Sequence, residues 1–297
     1  MATLPIIVQI LVGGLGIGGL YALVALGYSL LYRAMGLVNF AHGSIYMIGT
    51  YFGMIFYMGM VGGLHLPYAL CFVLGVLLTG LLGIILERVF RPLADLDLML
   101  MLLGTIGVGV VIDNLAIFIW GAQGFAVPHP LGGKPLKIAG VAIQPQMILI
   151  LLVSAVLMVA LNVFLKRSRI GKGMRAAAQD REIAAAMGIP VNLTNALTFA
   201  IGSGLAAAAG ILAAPIVYVS PAMGGGVGVK GFAAAILGGM GSIPGAIVGG
   251  LLIGVLEGYS SAFISSEYTP AIIYAVMVAV LMIKPSGIVG ETTVEKV

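Results

Sequence analysis

Charge is what this chain has least of. Asp, Glu, Lys and Arg make up 8% of its 297 residues, against about a quarter in an ordinary soluble domain. Apolar residues account for 61% and the mean hydropathy is +1.18. A water-soluble fold is excluded, and the class left is a polytopic, all-α membrane protein. Cysteine is nearly missing as well. The single Cys71 lies in a hydrophobic run, which rules out an internal disulfide and says little about redox compartment. The three histidines, His42, His65 and His129, are far apart, and none has a Cys, Asp or Glu at ligand spacing, so no metal site is expected. A phosphate-binding loop is absent too: GKGM at Gly171 and VKGF at Val229 lack the GxxxxGK[ST] spacing. The chain therefore does not hydrolyse ATP by that route. No Ser, Cys or carboxylate pair forms a catalytic arrangement, so neither a catalytic residue nor a cofactor is expected. The opening MATLPIIVQI has no basic region of a cleavable signal peptide, and the first hydrophobic run is expected to stay as a span.

Hydrophobic runs fill the space that charge leaves. A helix needs roughly 20 apolar residues to cross a bilayer. Eight segments meet or nearly meet that length: 6–32, 37–60, 67–86, 98–120, 147–165, 191–216, 229–258 and 268–284. The whole chain reads as one transmembrane domain. The net charge of +4 calls for no nucleic-acid partner, because basic residues near span ends mark the cytoplasmic side. Six of the 14 Lys and Arg residues lie in one stretch, Lys166 to Pro190, which is placed inside on that rule. Counting back from it puts 121–146 outside, ERVFRPLADLD (Glu87–Asp97) inside with Arg88 and Arg91, and Arg33 inside. Downstream the count is ambiguous. If 229–258 crosses once, the tail with Lys284 and Lys296 lies outside; if it turns back at GGMGSIPG (Gly238–Gly245), Lys284 lies inside. The broken or re-entrant form is the one favoured here.

Local patterns add detail. Within the basic stretch, Ala176–Met187 has helix-forming composition and stops at Gly188, with Pro190 beyond. LKIAGVAIQ, in the outer loop, alternates as a small hairpin does, with an irregular loop as the other reading. Gly14/Gly18, Gly245/Gly249 and Gly250/Gly254 have the GxxxG spacing of closely packed helices, and packing is their default meaning. Asn39, His42, Ser44 and Thr50 bring polarity into the second segment. Asn39, Gly43 and Tyr46 or Met47 are spaced to share one helix face, lining either a cavity or an interhelical hydrogen bond. Asp113 and Asn114 sit deep in the fourth segment, as a proton relay or a structural pair. A shift of 192 residues aligns Gly36, Phe40, Ala41, Gly49, Gly53 and Gly62 with Gly228, Phe232, Ala233, Gly241, Gly245 and Gly254. A two-half repeat and chance matching of glycines both explain this; paired Gly-interrupted segments would point to a transport path.

Four stretches resemble one family. GGLYALVALGYSLLYRAMGLVNFAHGSIYMIGTYFG (Gly18–Gly53), ERVFRPL (Glu87–Leu93), GKGMRAAAQDREIAAAMGIPV (Gly171–Val191) and GFAAAILGGMGSIPGAIVGGLLIGVLE (Gly231–Glu257) are similar, in this order, to the permease subunits of branched-chain amino acid ABC importers. The NFAHG form resembles the LivH type more than the LivM type. The resemblance implies a bacterial inner-membrane protein without its own nucleotide-binding domain. Its implied partners are a second, LivM-type permease, two cytoplasmic ATPase subunits and an extracytoplasmic substrate-binding protein, all in membrane lipid.

It further implies that a short cytoplasmic helix followed by Gly docks on an ATPase. Ala176, Gln179, Asp180, Glu182, Ile183, Ala184, Met187 and Gly188 occupy that position, although the sequence departs from the family's older EAA pattern. The substrate path is expected along Asn39, Phe40, His42, Gly43, Tyr46 and Met47, and at Phe232, Gly238, Gly239 and Gly241. Relatives carry leucine-type amino acids, urea, short amides or aromatic acids. A proton-coupled transporter or channel using Asp113 is the rival reading, and a membrane enzyme comes third.

Overall fold

The computed structural model describes residues 4–36, 38–60, 62–94, 98–138 and 141–290. In chain order the helices are α1 Leu4–Met35, α2 His42–Tyr57, α3 Tyr68–Ala94, α4 Leu98–Trp120, α5 Pro145–Arg167, α6 Arg169–Gln179, α7 Arg181–Ala186, α8 Val191–Ala213, α9 Met223–Gly238, α10 Ile243–Phe263 and α11 Thr269–Ile283. Two short strands, β1 Leu136–Ile138 and β2 Val141–Ile143, precede α5 and pair antiparallel, Leu136 opposite Ile143. The hairpin expected from LKIAGVAIQ is there.

Six helices are long and apolar enough to cross a membrane: α1, α3, α4, α5, α8 and α10. The other three apolar helices, α2, α9 and α11, have 16, 16 and 15 residues, or roughly 24 Å at 1.5 Å per residue. That falls short of a hydrocarbon layer about 30 Å thick. The second segment, expected over 37–60, is thus a helix somewhat shorter than a full span. Segment 229–258 proves to be two helices. α9 begins at Met223, the chain reverses over Gly239–Ser242, and α10 runs back beside α9, Gly238 against Gly245 and Ala234 against Gly249. Gly239 and Gly241 allow this reversal with φ of +111° and +81°, a region open mainly to glycine. Ser242 caps the new helix by accepting from the Gly245 N–H at 3.1 Å.

Two expectations about loops change. Glu87–Ala94 is not a loop but the last turns of α3, while Asp95–Asp97 lie outside the described residues. Glu87 and Arg91 sit one turn apart and form a two-point ion pair, Nε–Oε1 3.0 Å and Nη2–Oε2 2.7 Å, which favours continuing the helix. The side of the tail cannot be read at Lys296, which is outside the described residues. A two-half repeat is not shown: the shift of 192 carries Gly49, in the middle of α2, onto Gly241 in the α9–α10 turn, so the two positions do not share equivalent structure.

α1 is the central post. Its face is glycine-rich where other helices cross it: Gly14 and Gly18 meet α10, Gly16 and Gly19 meet Met147 and Ser154 of α5, and Gly27 meets His42 and Gly202. A Cβ added at Gly14 would stand 2.9 Å from the Gly254 carbonyl oxygen. α8 is the second post, its Ala-rich middle fully buried against α1, α2 and α3. The carbonyls at its C-terminal end are satisfied by side chains, Tyr68 donating to Ile211 at 2.7 Å and Gln146 to Leu212 at 2.7 Å.

Gly254→Ala would drive a methyl into the backbone of Gly18 and Gly14 and is expected to destabilise by about 1–3 kcal/mol. Gly13→Ala, with nothing within 4 Å, is expected to be neutral or slightly stabilising. Thermal unfolding of the two variants in mild detergent separates close packing from helix propensity.

Candidate functional site

The lead-in to α2 carries most of the expected path residues. Asn39 is not on the α2 face, as its spacing to Gly43 and Tyr46 suggests, because the helix starts three residues later. Its Oδ1 accepts from the Ala41 N–H at 3.0 Å and its carbonyl from the His42 N–H at 3.1 Å. Asn favours such a local turn over a helical position. Asn39 Nδ2 is left buried without a partner. His42 opens α2, fully buried, with neither ring nitrogen hydrogen-bonded. It packs on Tyr28, ring centroids 4.5 Å apart. Tyr28 also meets Phe232 at 5.7 Å, and Phe232 meets Phe40 at 6.0 Å.

Phe40 is exposed, while its backbone N–H donates to Thr105 of α4 at 3.2 Å. Gly43 lets the first turn of α2 cross α9: a Cβ there would be 2.6 Å from the Gly224 carbonyl oxygen and 3.3 Å from Gly228 Cα. Tyr46 and Met47 are buried one turn further on. The short helices α2 and α9 therefore cross near their N-termini, beside an aromatic group and unpaired polar atoms. Asp113, opposite Ser44, adds another buried oxygen without a hydrogen bond.

Gly238, Gly239 and Gly241 are not part of this cluster. They form the α9–α10 turn, where Gly241 packs on Arg33 in the last turn of α1 and Gly239 on Ser286 and Gly290.

The expected single helix Ala176–Met187 is broken at Asp180. Asp180 is extended (φ −154°, ψ 114°) and its side chain accepts from the Ile183 N–H at 2.8 Å. An Asp there caps a new helix more favourably than it continues an old one. The basic half, Lys166–Arg175, is the last turn of α5 and most of the amphipathic α6. Gly171, Met174 and Ala177 are its buried stripe, and it packs on α1, α5 and α8. Ala176 lies on α6 and Gln179 ends it. On α7, Ala184 points inward, while Glu182, Ile183 and Met187 face out, Ile183 63% and Met187 78% exposed. α7 ends in a Schellman turn, Ile189 N–H to Ala184 O at 3.0 Å and Gly188 N–H to Ala185 O at 2.9 Å, with Gly188 at φ +81°.

One group escaped the sequence reading. Lys230 of α9 bonds Glu257 of α10, Nζ–Oε1 2.7 Å, and Tyr21 of α1 donates to the other Glu257 oxygen at 2.7 Å. Lys230 also reaches the Tyr21 hydroxyl at 3.3 Å.

Over residues 10–281 the chain matches the family described as branched-chain amino acid transport system, permease component. It is 36% identical to the high-affinity branched-chain amino acid transport system permease protein LivH of Salmonella typhimurium, across 97% of each chain. Identity to the corresponding permease protein BraD of Pseudomonas aeruginosa is 38%, again across 97% of each. It is 29% to a probable LivH of Methanocaldococcus jannaschii, across 95% of this chain and 92% of the other. The chain belongs to the branched-chain amino acid transport permease family. It is a multi-pass inner-membrane protein.

In this permease the Tyr21–Lys230–Glu257 group joins three helices. Lys230 and Glu257 stand at the two ends of the hydrophobic segment 229–258; only the reversal at Gly239–Ser242 brings them together. Both side chains keep 19% exposure, so the pair is not sealed. Removing one partner leaves the other charge unpaired within apolar surroundings. Glu257→Gln or Lys230→Met is expected to lower stability by roughly 1.5–3 kcal/mol, and the double substitution Lys230→Met/Glu257→Leu to recover part of the loss. Unfolding temperatures of the three variants in detergent test this.

Proposed function

We propose that this permease is the membrane-spanning subunit of an ATP-driven importer for branched-chain or closely related amino acids. Its partners are a second, LivM-type permease, two cytoplasmic ATPase subunits and an extracytoplasmic binding protein that delivers the substrate. The observation that carries the reading is α7: a short helix with Ile183 and Met187 fully presented at one end of the bundle, held by a glycine turn. Exposed aliphatic side chains on a rigid turn suit insertion into a partner's groove. The relatives' names supply the substrate class.

The mechanism follows from what α7 is attached to. α6 continues into α7 through Asp180 and packs on α1, α5 and α8. Closure of the ATPases on ATP pushes α7, and α6 passes the displacement to the two central posts as a rigid unit. α1 and α8 both touch α2, so their tilt opens and closes the space beside the α2–α9 crossing. There Phe40, Phe232 and Tyr28 offer apolar contact, and Asn39 Nδ2 and His42 offer hydrogen bonds to a polar solute in transit. The basic residues on α6 and at the end of α5 support a cytoplasmic position for this end on the positive-inside rule. The hairpin β1–β2 then lies outside, where the binding protein docks.

Gly188 has no atom within 4 Å of an added Cβ, so substitution there acts through the turn and not through packing. Gly188→Trp strains the left-handed residue by about 1–2 kcal/mol and is expected to abolish ATP-dependent uptake in the assembled transporter with little change in unfolding temperature. Gly188→Asn, which tolerates this conformation, is expected to retain most uptake. Intact uptake in the Trp variant would remove α7 from the coupling path.

A further inference from the structure

A narrow cleft opens between the last turn of α1, the end of α5, α6 and the start of α10. Leu30, Leu165, Met174 and Ile243 give it apolar walls, and Arg33 and Arg175 are the charged residues lining it. Neither arginine joins an ion pair among the described residues. Arg175 Nε is buried and has no hydrogen-bond partner. A guanidinium stays charged at any working pH, so an N–H withheld from both water and acceptor carries a desolvation penalty that an anion would relieve. Lys166, Arg167, Arg169 and Lys172, all exposed, flank the lining residues Leu165, Met174 and Arg175 in sequence, and no acidic residue occurs from Lys166 to Gln179.

The level of the cleft narrows the choice of anion. Arg33 and Leu165 are in the last turns of α1 and α5, and Ile243 is the first residue of α10. Three spans therefore end here, at the depth where hydrocarbon gives way to lipid phosphates. The inner space of about 20 Å³ takes one oxygen-sized group, with the remainder of a ligand at the mouth. Apolar walls closed by two guanidiniums match a ligand that is anionic at one end and apolar beyond it.

We propose that the Arg33–Arg175 cleft binds the phosphate of an anionic phospholipid. The lipid bridges α1, α6 and α10, and so fastens α6 to the bundle that it moves. The site is separate from the α2–α9 crossing and from α7, and its assignment does not depend on which solute the permease carries.

The test is thermal unfolding of the full-length chain in nonionic detergent, titrated with phosphatidylglycerol, phosphatidylcholine or inorganic phosphate. Phosphatidylglycerol is expected to raise the unfolding temperature of the wild type, and phosphatidylcholine and phosphate are not. Arg33→Gln and Arg175→Gln are each expected to raise the half-saturating phosphatidylglycerol concentration about fivefold. Arg33→Lys/Arg175→Lys retains most of the response, which controls for folding, as does Lys134→Gln in the loop beyond α4. Native mass spectra are expected to show co-purified anionic lipid lost in the double Gln variant. Equal responses to the two lipids, or a phosphatidylglycerol response unchanged in the Gln variants, would overturn the proposal. An arginine-dependent response to inorganic phosphate alone would replace the lipid by a free phosphate. If lipid response is unchanged while the Gln variants lose co-purified ATPase, the cleft serves a protein partner and the lipid assignment is wrong.

Discussion

Helix against helix at backbone distance is the constraint on which this permease depends. Inside a bilayer apolar side chains gain little by leaving lipid for protein, so association rests on close van der Waals packing and a few interhelical hydrogen bonds. Here several close approaches are glycine on glycine: Gly14 and Gly18 of α1 against Gly254 of α10, Gly43 of α2 against Gly224 and Gly228 of α9, and Gly238 against Gly245 within the hairpin. Each contact also fixes a crossing. The α1–α10 contact sets the central post, the hairpin contact turns one apolar stretch into two helices, and the α2–α9 contact creates the region where two short helices leave polar atoms unpaired.

Polar groups follow from that packing and divide into two kinds. Some are satisfied where the backbone requires it, as when Tyr68 and Gln146 close the end of α8 and Tyr21, Lys230 and Glu257 tie three helices. Others are buried with no partner: Asn39 Nδ2, both nitrogens of His42 and one oxygen of Asp113 near the start of α2, and Arg175 Nε in the basic cleft. Unsatisfied polar atoms are costly away from water. Such atoms also occur at Ser29, Tyr51, Gln146 and Ser203; what marks the α2–α9 crossing is that His42 and the neighbouring Asn39 adjoin the ring group of Tyr28, Phe232 and Phe40.

Much of this was legible from residues. The spans of α1, α4, α5 and α8, the pairing within LKIAGVAIQ and the break at GGMGSIPG were visible, since each depends on local composition or on glycine in a left-handed conformation. The docking stretch was legible as a stretch, and Gly188 as its stop. What could not be read depended on competition or on distance. Asp180 prefers capping to continuing a helix, which splits the expected segment in two. Asn39 uses its side chain on its own turn and leaves the helix face. Lys230 and Glu257 are 27 residues apart and meet only because the chain reverses between them. Gly238, Gly239 and Gly241, expected along the path, form that reversal, with Gly241 against Arg33 and apart from the α2–α9 crossing. The two arginines of the cleft, far apart in sequence, come together only through the packing of α6 beneath α1.

The central claim is that the end of the bundle carrying α7 faces the cytoplasm and receives the ATPase. Cys71 is the one cysteine and is buried, so a Met187→Cys variant offers a single accessible thiol. The most direct measurement is its labelling by a membrane-impermeant maleimide in intact cells and in inside-out vesicles, with and without the ATPase subunits. The expected result is no labelling in cells, rapid labelling in stripped vesicles, and protection when the ATPase subunits are restored. Labelling in intact cells, or equal labelling of stripped and restored vesicles, would contradict it.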